Sequence, residues 1–202
     1  MKCCHIVGAG EMGGCKIAWK AGDLLIAADA GYTQVRRQGL KPDLVVGDFD
    51  SMPRPETAAE LICLPCEKDD TDMLYAARRA LERGAAMCHL YGGTGGRADH
   101  TMANVQTLLW LRRRGVDARL YGASMTAAVI ENGALALPAG AGYVSVFCLG
   151  DRAGDVTLRG LKYELEGAEL SNDMPLGVSN ERIGVPAEIR VGQGTLLVIW
   201  EG

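Results

Sequence analysis

Three stretches of carboxylates, each placed at the end of an apolar run, are the residues of this chain best equipped for chemistry. The first is Leu44-Val45-Val46-Gly47-Asp48-Phe49-Asp50-Ser51, preceded by Pro42-Asp43. An extended backbone sends alternate side chains to one side, so Asp48 and Asp50 would face the same way, about 6–7 Å apart. Like charges that close repel unless a cation lies between them, and a hard, oxygen-seeking ion such as Mg²⁺ suits the pair. The second stretch, Glu67-Lys68-Asp69-Asp70-Thr71-Asp72, follows another apolar run and leads into a helical pattern. Any one of these acids would be favoured at a helix N-terminus. Three aspartates in four positions exceed what capping requires, and Lys68 adds a cation able to hold a phosphate. The third stretch runs from Tyr91 through Gly92-Gly93-Thr94-Gly95-Gly96-Arg97-Ala98-Asp99-His100 to Asn104. A glycine-rich loop between a strand and a helix leaves backbone N–H groups able to cradle phosphate oxygens. Arg97 offers a guanidinium fork for the same anion. The loop lacks the G-K-[ST] ending of a P-loop. Each stretch alone is compatible with a structural turn, but three of them after successive strands point to one shared site. Several aspartates together with Gly, Arg and Lys ligands suit phosphoryl chemistry on a Mg²⁺-bound nucleotide.

Two further patterns suggest other chemistry. Gly8-Ala9-Gly10-Glu11-Met12-Gly13 matches G-x-G-x-x-G after a strand, and Asp29 follows about 20 residues on, the spacing of a dinucleotide-binding fingerprint. The alternative is a glycine turn after the first strand, which is favoured because the remaining acids gather in a pattern that hydride transfer does not need. Cys63-Leu64-Pro65-Cys66 has redox spacing, but it closes a strand-like run, whereas a redox CxxC opens a helix. The seven cysteines, odd in number and scattered in apolar runs (Cys63, Cys88, Cys148), read as buried free thiols of a reducing compartment. His5, His89 and His100 have no mutual spacing suited to a zinc site.

The elements that must position these residues are of two textures. Strand-like runs at Cys3–Val7, Leu24–Ala28, Leu44–Gly47, Leu61–Leu64, Met87–Tyr91 and Ala118–Tyr121 alternate with helical patterns, the clearest at Thr71–Arg83 and Asp99–Arg114. Thr71 or Asp70 would cap the first helix, with Leu74, Ala77 and Leu81 on its apolar stripe. In the second helix Met102, Val105, Leu108, Leu109 and Leu111 recur at helical spacing, and Gly115 marks the end. Strands alternating with helices imply a mostly parallel sheet flanked by helices. From Ala127 onward, short Val-, Leu- and Tyr-rich runs are broken every eight to twelve residues by Gly or Asn, the texture of an antiparallel sandwich or barrel with hairpin turns. The expectation is an α/β domain over residues 1–123 and an all-β sandwich or barrel-like domain over residues 124–202.

Composition excludes several function classes. The 202 residues carry 21 Lys+Arg against 25 Asp+Glu, a formal charge of −4, which argues against non-specific binding to nucleic acid or an anionic membrane, since that needs a basic face. With 48% hydrophobic residues the chain is not disordered. No run approaches the ~18 apolar residues of a membrane span, and the N-terminus turns to glycine too early for a signal peptide. A cytoplasmic protein is expected.

Taken in order, Ala28-Asp29-Ala30-Gly31, Pro42-Asp43 through Gly47-Asp48-Phe49-Asp50-Ser51, Glu67-Lys68-Asp69-x-Thr71-Asp72, and Gly92-x-x-Gly95-Gly96-Arg97-x-Asp99-His100-x-x-Ala103-Asn104 resemble the thiamine pyrophosphokinase family. Gly160-Leu161-Lys162-Tyr163 and Ser179-Asn180-Glu181 are similar to segments of that family's second domain, so the resemblance extends over essentially the whole chain. It implies an N-terminal α/β domain, a C-terminal β-sandwich and a homodimer with sites shared between subunits. It also implies transfer of the β,γ-pyrophosphoryl group of ATP to the hydroxyethyl oxygen of thiamine, giving thiamine diphosphate and AMP. Carried over by position, Asp48, Asp50 and Asp72 would hold Mg²⁺, and Asp50, Asp72 and Asp99 would be the catalytic acids, Asp99 as a further ligand or as acceptor of the hydroxyl proton. Asp29, Ser51, Lys68, Asp69, Thr71, Gly95, Gly96, Arg97, His100 and Asn104 would bind the nucleotide and its phosphates. Tyr163, Ser179 and Asn180 would contact thiamine across the dimer interface. In the family a Trp can fill the Tyr163 position, and Trp200 is either a second stacking ring or simple core. A dinucleotide-binding regulatory module and a Mg²⁺-dependent hydrolase using the same carboxylates are the competing readings.

Overall fold

The computed structural model describes residues 2–50, 53–65, 67 and 69–201, which divide into two compact units, Met1–Ala123 and Ser124–Gly202. In the first unit six strands run parallel: β1 (Lys2–Val7), β2 (Leu24–Ala28), β3 (Leu44–Gly47), β4 (Glu60–Cys63), β5 (Ala85–Tyr91) and β6 (Asp117–Tyr121). Their order across the sheet is β4-β3-β2-β1-β5-β6. The inner strands β2 and β3, LLIAA and LVVG, are buried at every residue, as expected of parallel strands covered on both faces. β4 at the edge is half-exposed throughout, and Cys63, expected to be a buried thiol, is exposed at its end. The chain adds β2, β3 and β4 on one side of β1, then returns to place β5 on the other. Next to β1 the sheet therefore has a point where the winding direction reverses. The loops that leave β1 and β5 at their C-terminal ends border that point, the place where open α/β sheets form ligand crevices.

Three helices accompany this sheet: α1 (Gly31–Arg37), α2 (Asp72–Glu82) and α3 (Ala98–Arg112). Thr71 is the N-cap of α2, its side chain accepting the Leu74 N–H at 3.2 Å, while Asp70 pairs instead with Arg78 at 2.9 Å. The face of α2 against β1, β2, β3 and β5 is Met73, Ala76, Ala77 and Ala80. Leu74 and Leu81, expected on that stripe, are only half-buried, because three alanines let the helix lie closer to the sheet than leucines would. In α3 Val105, Leu108 and Leu111 of the expected apolar set are buried, Leu109 is half-buried, and Met102 at the start is 59% exposed. α1, at seven residues, has about two turns and no strong periodicity of its own.

The second unit is antiparallel: β7 (Met125–Leu137), β8 (Ala141–Cys148), β9 (Arg152–Arg159), β10 (Leu165–Ser171), β11 (Asn180–Ile183) and β12 (Ala187–Glu201). Here the expectation of short runs joined by hairpin turns is partly overturned. Asn132-Gly133 and Gly192-Gln193-Gly194 do not end strands; they are irregularities inside the long pair β7–β12, whose register shifts between Val191 and Thr195. Asn132 takes a φ of 45°, and its side chain accepts the Gly194 N–H at 2.8 Å, pinning the two bulges together. The bend lets one strand serve two leaves. Residues 188–193 of β12 pair with β9, and residues 196–200 pair with β8. One leaf is β10-β9-β12-β7 and the other β11-β8-β12-β7, and the core between them includes Val146, Leu158, Ile189 and Val198. Trp200 packs half-buried against this core. None of the helices among the described residues is long and apolar enough to cross a membrane.

Candidate functional site

The crevice next to β1 is a cleft of about 500 Å³. Its floor is the pair of glycine loops that follow β1 and β5. Gly8 N–H donates to the Tyr91 carbonyl and Gly10 N–H to the Gly92 carbonyl, both at 2.8 Å, so the two loops are zipped backbone to backbone. A Cβ at Gly10 would lie 2.5 Å from the Gly92 oxygen and 2.6 Å from the Thr94 oxygen, so only glycine fits that approach. No helix follows β1 through residue 23, so the G-x-G-x-x-G run lacks the helix N-terminus that a dinucleotide fingerprint requires. The glycine-turn alternative holds, and the turn nonetheless lines the cleft.

Four aspartates arrive at this cleft from separate strand ends: Asp29 after β2, Asp48 and Asp50 after β3, and Asp72 at the start of α2. Asp48 and Asp50 do share the cleft, but not by strand alternation. β3 stops at Gly47, Phe49 takes a φ of 56°, and Asp50 N–H approaches Asp48 Oδ1 at 3.4 Å, so a tight turn rather than an extended segment brings the two carboxylates round. Asp29, also at positive φ (45°), is tied down by its N–H to the Val46 carbonyl at 2.7 Å. Thr71, Met73, Gly93, Thr94, Gly95, Arg97, His100 and Asn104 complete the wall. α2 and α3 both begin at the cleft, which adds the positive ends of two helix dipoles to it. Asn104 is buried, and its Nδ2 donates to the Gly93 carbonyl at 2.7 Å, fixing the loop from the helix side.

The charge balance of the cleft is informative. Among the described residues that line it, Arg97 is the only guanidinium or ammonium group, facing four aspartates. Arg97 is itself engaged by Asp99 in a two-pronged pair, Nε to Oδ1 at 3.1 Å and Nη2 to Oδ2 at 2.5 Å, both side chains largely exposed. Hydrogen bonding from that guanidinium holds the Asp99 carboxyl down at about 2. A carboxylate so weakly basic is a poor acceptor for a hydroxyl proton near neutrality. Three carboxylates at one place, with hard oxygen donors, fit a divalent ion such as Mg²⁺.

Of the residues singled out in the sequence, the cleft therefore unites Asp29, Asp48, Asp50, Thr71, Asp72, Gly95, Arg97, His100 and Asn104. Asp69, Gly96 and Asp99 are exposed and do not line it. Ser51 and Lys68 lie outside the described residues. Tyr163, Ser179 and Asn180 belong to the second unit. There Asn180 is buried and clamps the Tyr163 backbone from both sides, accepting its N–H at 2.9 Å and donating to its carbonyl at 2.7 Å. Lys162 N–H donates to the Glu181 carbonyl, and Leu161 bridges to Arg182, so the two quoted segments of this unit are neighbours in space. Tyr163 is 58% exposed, with the Lys162 ammonium 5.4 Å above its ring. Sequence reasoning left the Gly8-Ala9-Gly10 turn out of the acidic site and missed Met73, which the first turn of α2 brings to the wall. Only the adjacency of β1 and β5 brings the Gly8–Gly10 turn beside the Gly92–Gly95 loop, and no spacing in the sequence shows it.

Comparison with known proteins gives two family matches. The family described as thiamin pyrophosphokinase, catalytic domain, matches residues 15–120, and the one described as thiamin pyrophosphokinase, vitamin B1 binding domain, matches residues 136–196. The thiamine pyrophosphokinase of Bacillus subtilis is 29% identical over 184 residues, covering 87% of this chain and 86% of that protein. Its crystal structure superposes with a TM-score of 0.88 over 99% of both chains at 26% identity. A thiamin pyrophosphokinase family protein from Enterococcus faecalis superposes with a TM-score of 0.85 at 30% identity, over 100% of this chain and 99% of that one.

Proposed function

The chain belongs to the thiamin pyrophosphokinase family and is a diphosphotransferase, and from that premise we propose that its cleft binds Mg²⁺-ATP and passes the β,γ-pyrophosphoryl group to the hydroxyethyl oxygen of thiamine. The observation that carries the reading is the gathering of Asp29, Asp48, Asp50 and Asp72 from separate strand ends around a double glycine loop with one arginine. So negative a cleft would repel a triphosphate by itself; it suits one that arrives with a divalent cation. Asp48, Asp50 and Asp72 would hold Mg²⁺, which when bound neutralises phosphate charge and polarises the phosphorus under attack.

The remaining work falls to the chain. Backbone N–H groups of the Gly92–Gly95 loop and the N-termini of α2 and α3 offer donors and positive dipole ends to phosphate oxygens. Arg97 adds a guanidinium that Asp99 holds at the cleft mouth, and Lys68 and Ser51 complete the expected phosphate ligands. Thr71 and Asn104 hold α2 and the glycine loop in place. A primary alcohol attacking through a loose transition state needs little prior deprotonation, so the site requires orientation and charge more than a strong base. Asp99, kept charged and weakly basic by Arg97, then acts by holding that arginine. On the thiamine side, Tyr163 with Ser179 and Asn180 would present an aromatic surface to a cationic, two-ringed substrate, supplied by the partner subunit of a homodimer. Exposed apolar side chains on the second unit, among them Tyr143, Tyr163, Ile183 and Val185, support a covered face there. A cytoplasmic location accords with six free thiols among the described residues.

The test is to incubate the purified chain with Mg²⁺, ATP and thiamine and identify the nucleotide product by chromatography with mass detection. AMP formed in step with thiamine diphosphate is the expected result. ADP, or phosphate released without thiamine, would overturn the assignment of acceptor and transferred group.

A further inference from the structure

At the opposite end of β1 from the cleft, Cys3 and His5 alternate onto the same face of the strand, and Asp23, immediately before β2, stands beside them. His5 Nε2 lies 3.7 Å from Cys3 Sγ and 3.2 Å from Asp23 Oδ2, and the three ligand atoms fall within 4.8 Å of one another. Around a tetrahedral zinc ion, with bonds near 2.3 Å to sulfur and 2.0–2.1 Å to nitrogen and oxygen, neighbouring S···N and N···O atoms are about 3.6 and 3.3 Å apart. The two measured separations match those edges.

The surroundings hold the donors in place. His5 is 1% exposed, and its other ring nitrogen, Nδ1, faces the Tyr91 hydroxyl at 3.3 Å. That hydroxyl accepts the Ala18 N–H at 3.2 Å, so the ring is oriented from behind. The Asp23 carboxylate is aimed by the Lys20 N–H, 3.0 Å from Oδ2, and its backbone carbonyl accepts the Trp19 indole N–H at 3.0 Å. An imidazole whose far nitrogen is held by an oxygen, and a carboxylate whose angle is set by a backbone donor, are the outer supports found around metal ligands. Cys3 is half-buried and the Asp23 side chain 21% exposed, which leaves access for an ion and room for a water as fourth ligand.

We propose that Cys3, His5 and Asp23 form a zinc site that pins β1 to the loop leading into β2, independent of the transferase cleft. A borderline-soft ion with thiolate, imidazole and carboxylate ligands and one open position is Zn²⁺, rather than the Mg²⁺ that the all-oxygen set of the cleft suits. On binding, the Cys3 thiol releases its proton to solvent, the His5 ring proton rests on Nδ1 against Tyr91, and Sγ, Nε2 and Oδ2 bond the metal. His5, the ligand residue nearest the cleft, is three residues before Gly8, about 10 Å at the rise of an extended chain, whereas a metal–ligand bond spans about 2 Å, so this ion does not reach the glycine loop that floors the cleft. The site therefore acts on stability.

The chain stripped with a chelator and titrated with Co²⁺ in place of Zn²⁺ should show a thiolate-to-cobalt absorption band saturating at one equivalent. Zn²⁺ should displace it and raise the melting temperature. Cys3→Ser should abolish the band, and Asp23→Asn should weaken binding at least about tenfold, the lower end seen even for supporting groups around a metal. His89→Asn, whose ring stacks on His5 at 5.0 Å without joining the ligand set, should bind as the unsubstituted chain does. Absence of a thiolate band in the unsubstituted, folded chain would overturn the proposal without reference to any variant. So would a band that survives in Cys3→Ser, because the thiolate would then be one of the other cysteines.

Discussion

A methyl group added at Gly10 would lie 2.5 Å from the Gly92 carbonyl oxygen and 2.6 Å from that of Thr94. Ordinary contact begins at about 3.4 Å, so Gly10→Ala must drive the two loops roughly 0.9 Å apart. The Gly10 N–H···O=C Gly92 bond, 2.8 Å in the intact chain, would stretch past the hydrogen-bonding range. Losing that bond costs about 1 kcal/mol, and overpacking a site walled by backbone adds about 1–3 kcal/mol, for a total of about 2–4 kcal/mol. Both loops line the cleft, so a shift of this size also misplaces the phosphate-binding N–H groups, with a loss of up to about 10²-fold in kcat. Gly8→Ala is the internal comparison. Its added carbon meets first the Met73 methyl at 2.7 Å, the movable end of a flexible side chain, and then the Gly92 oxygen at 3.0 Å, so a smaller loss is expected. Chemical denaturation gives the stability of each variant, and AMP formation with Mg²⁺, ATP and thiamine gives its kcat. If Gly10→Ala unfolds at the same denaturant concentration as the unsubstituted chain and turns over as fast, the two loops are not joined as described.

Asp50→Asn and Asp72→Asn should each lower kcat by about 10²–10³-fold, the scale of several kcal/mol of charge stabilisation, whereas His100→Ala should cost about tenfold or less; equal losses in all three, measured at saturating substrate, would refute the division of roles. Asn104→Leu strips the donor from the buried Gly93 carbonyl at 2.7 Å, so urea unfolding should show about 1–3 kcal/mol less stability. Thr71→Ala removes the cap of α2 and should cost about 0.5–2 kcal/mol, with Thr71→Ser recovering most of it. The Asp99 carboxyl, held at about 2 by Arg97, binds its proton less readily folded than unfolded, so whatever stability the pair contributes is present above the ordinary carboxylate range and fades as pH falls toward 2. In Arg97→Ala an NMR titration should find that carboxyl back near its ordinary value of about 3.9; a normal value in the unsubstituted chain would show that the pair does not form in solution.

Much of the local structure is legible in the residues. The inner strands β2 and β3 are the runs LLIAA and LVVG, free of polar side chains because both faces are covered, and the observed bounds of all six parallel strands lie within two residues of those read from sequence. α2 and α3 announce themselves by Thr71 at the cap and by glycines at 84 and 115, which local chemistry alone requires. α1 is less visible, since seven residues hold too few turns for a periodicity, and its place is decided by packing on β1 and β2. In the second unit Asn132 and Gly194 carry the same turn chemistry whether they close a hairpin or bulge a long strand. The difference lies in the partner, because β7 and β12 run alongside each other past both positions.

Asp48, Asp50 and Asp72 were recognisable as a group because their stretches follow apolar runs and strand ends in a parallel sheet share one edge, whereas Asp29 read as a fingerprint acid and joined them only through the family resemblance. Which of their neighbours join them is a matter of geometry that no spacing encodes. Phe49 at positive φ, not strand alternation, turns Asp50 beside Asp48. Arg78 draws Asp70 away from the cleft, and Arg97 holds Asp99 at its mouth. Gly8–Gly10 and Gly92–Gly95 are some 80 residues apart and meet only because β5 crosses back to lie beside β1. Cys3, His5 and Asp23 converge for the same reason, through the pairing of β1 with β2. Short-range chemistry, caps, turns and apolar periods, is written in consecutive residues and so is readable there. Which strands pair is fixed by burial summed over the whole chain, and only that pairing brings distant side chains to one point.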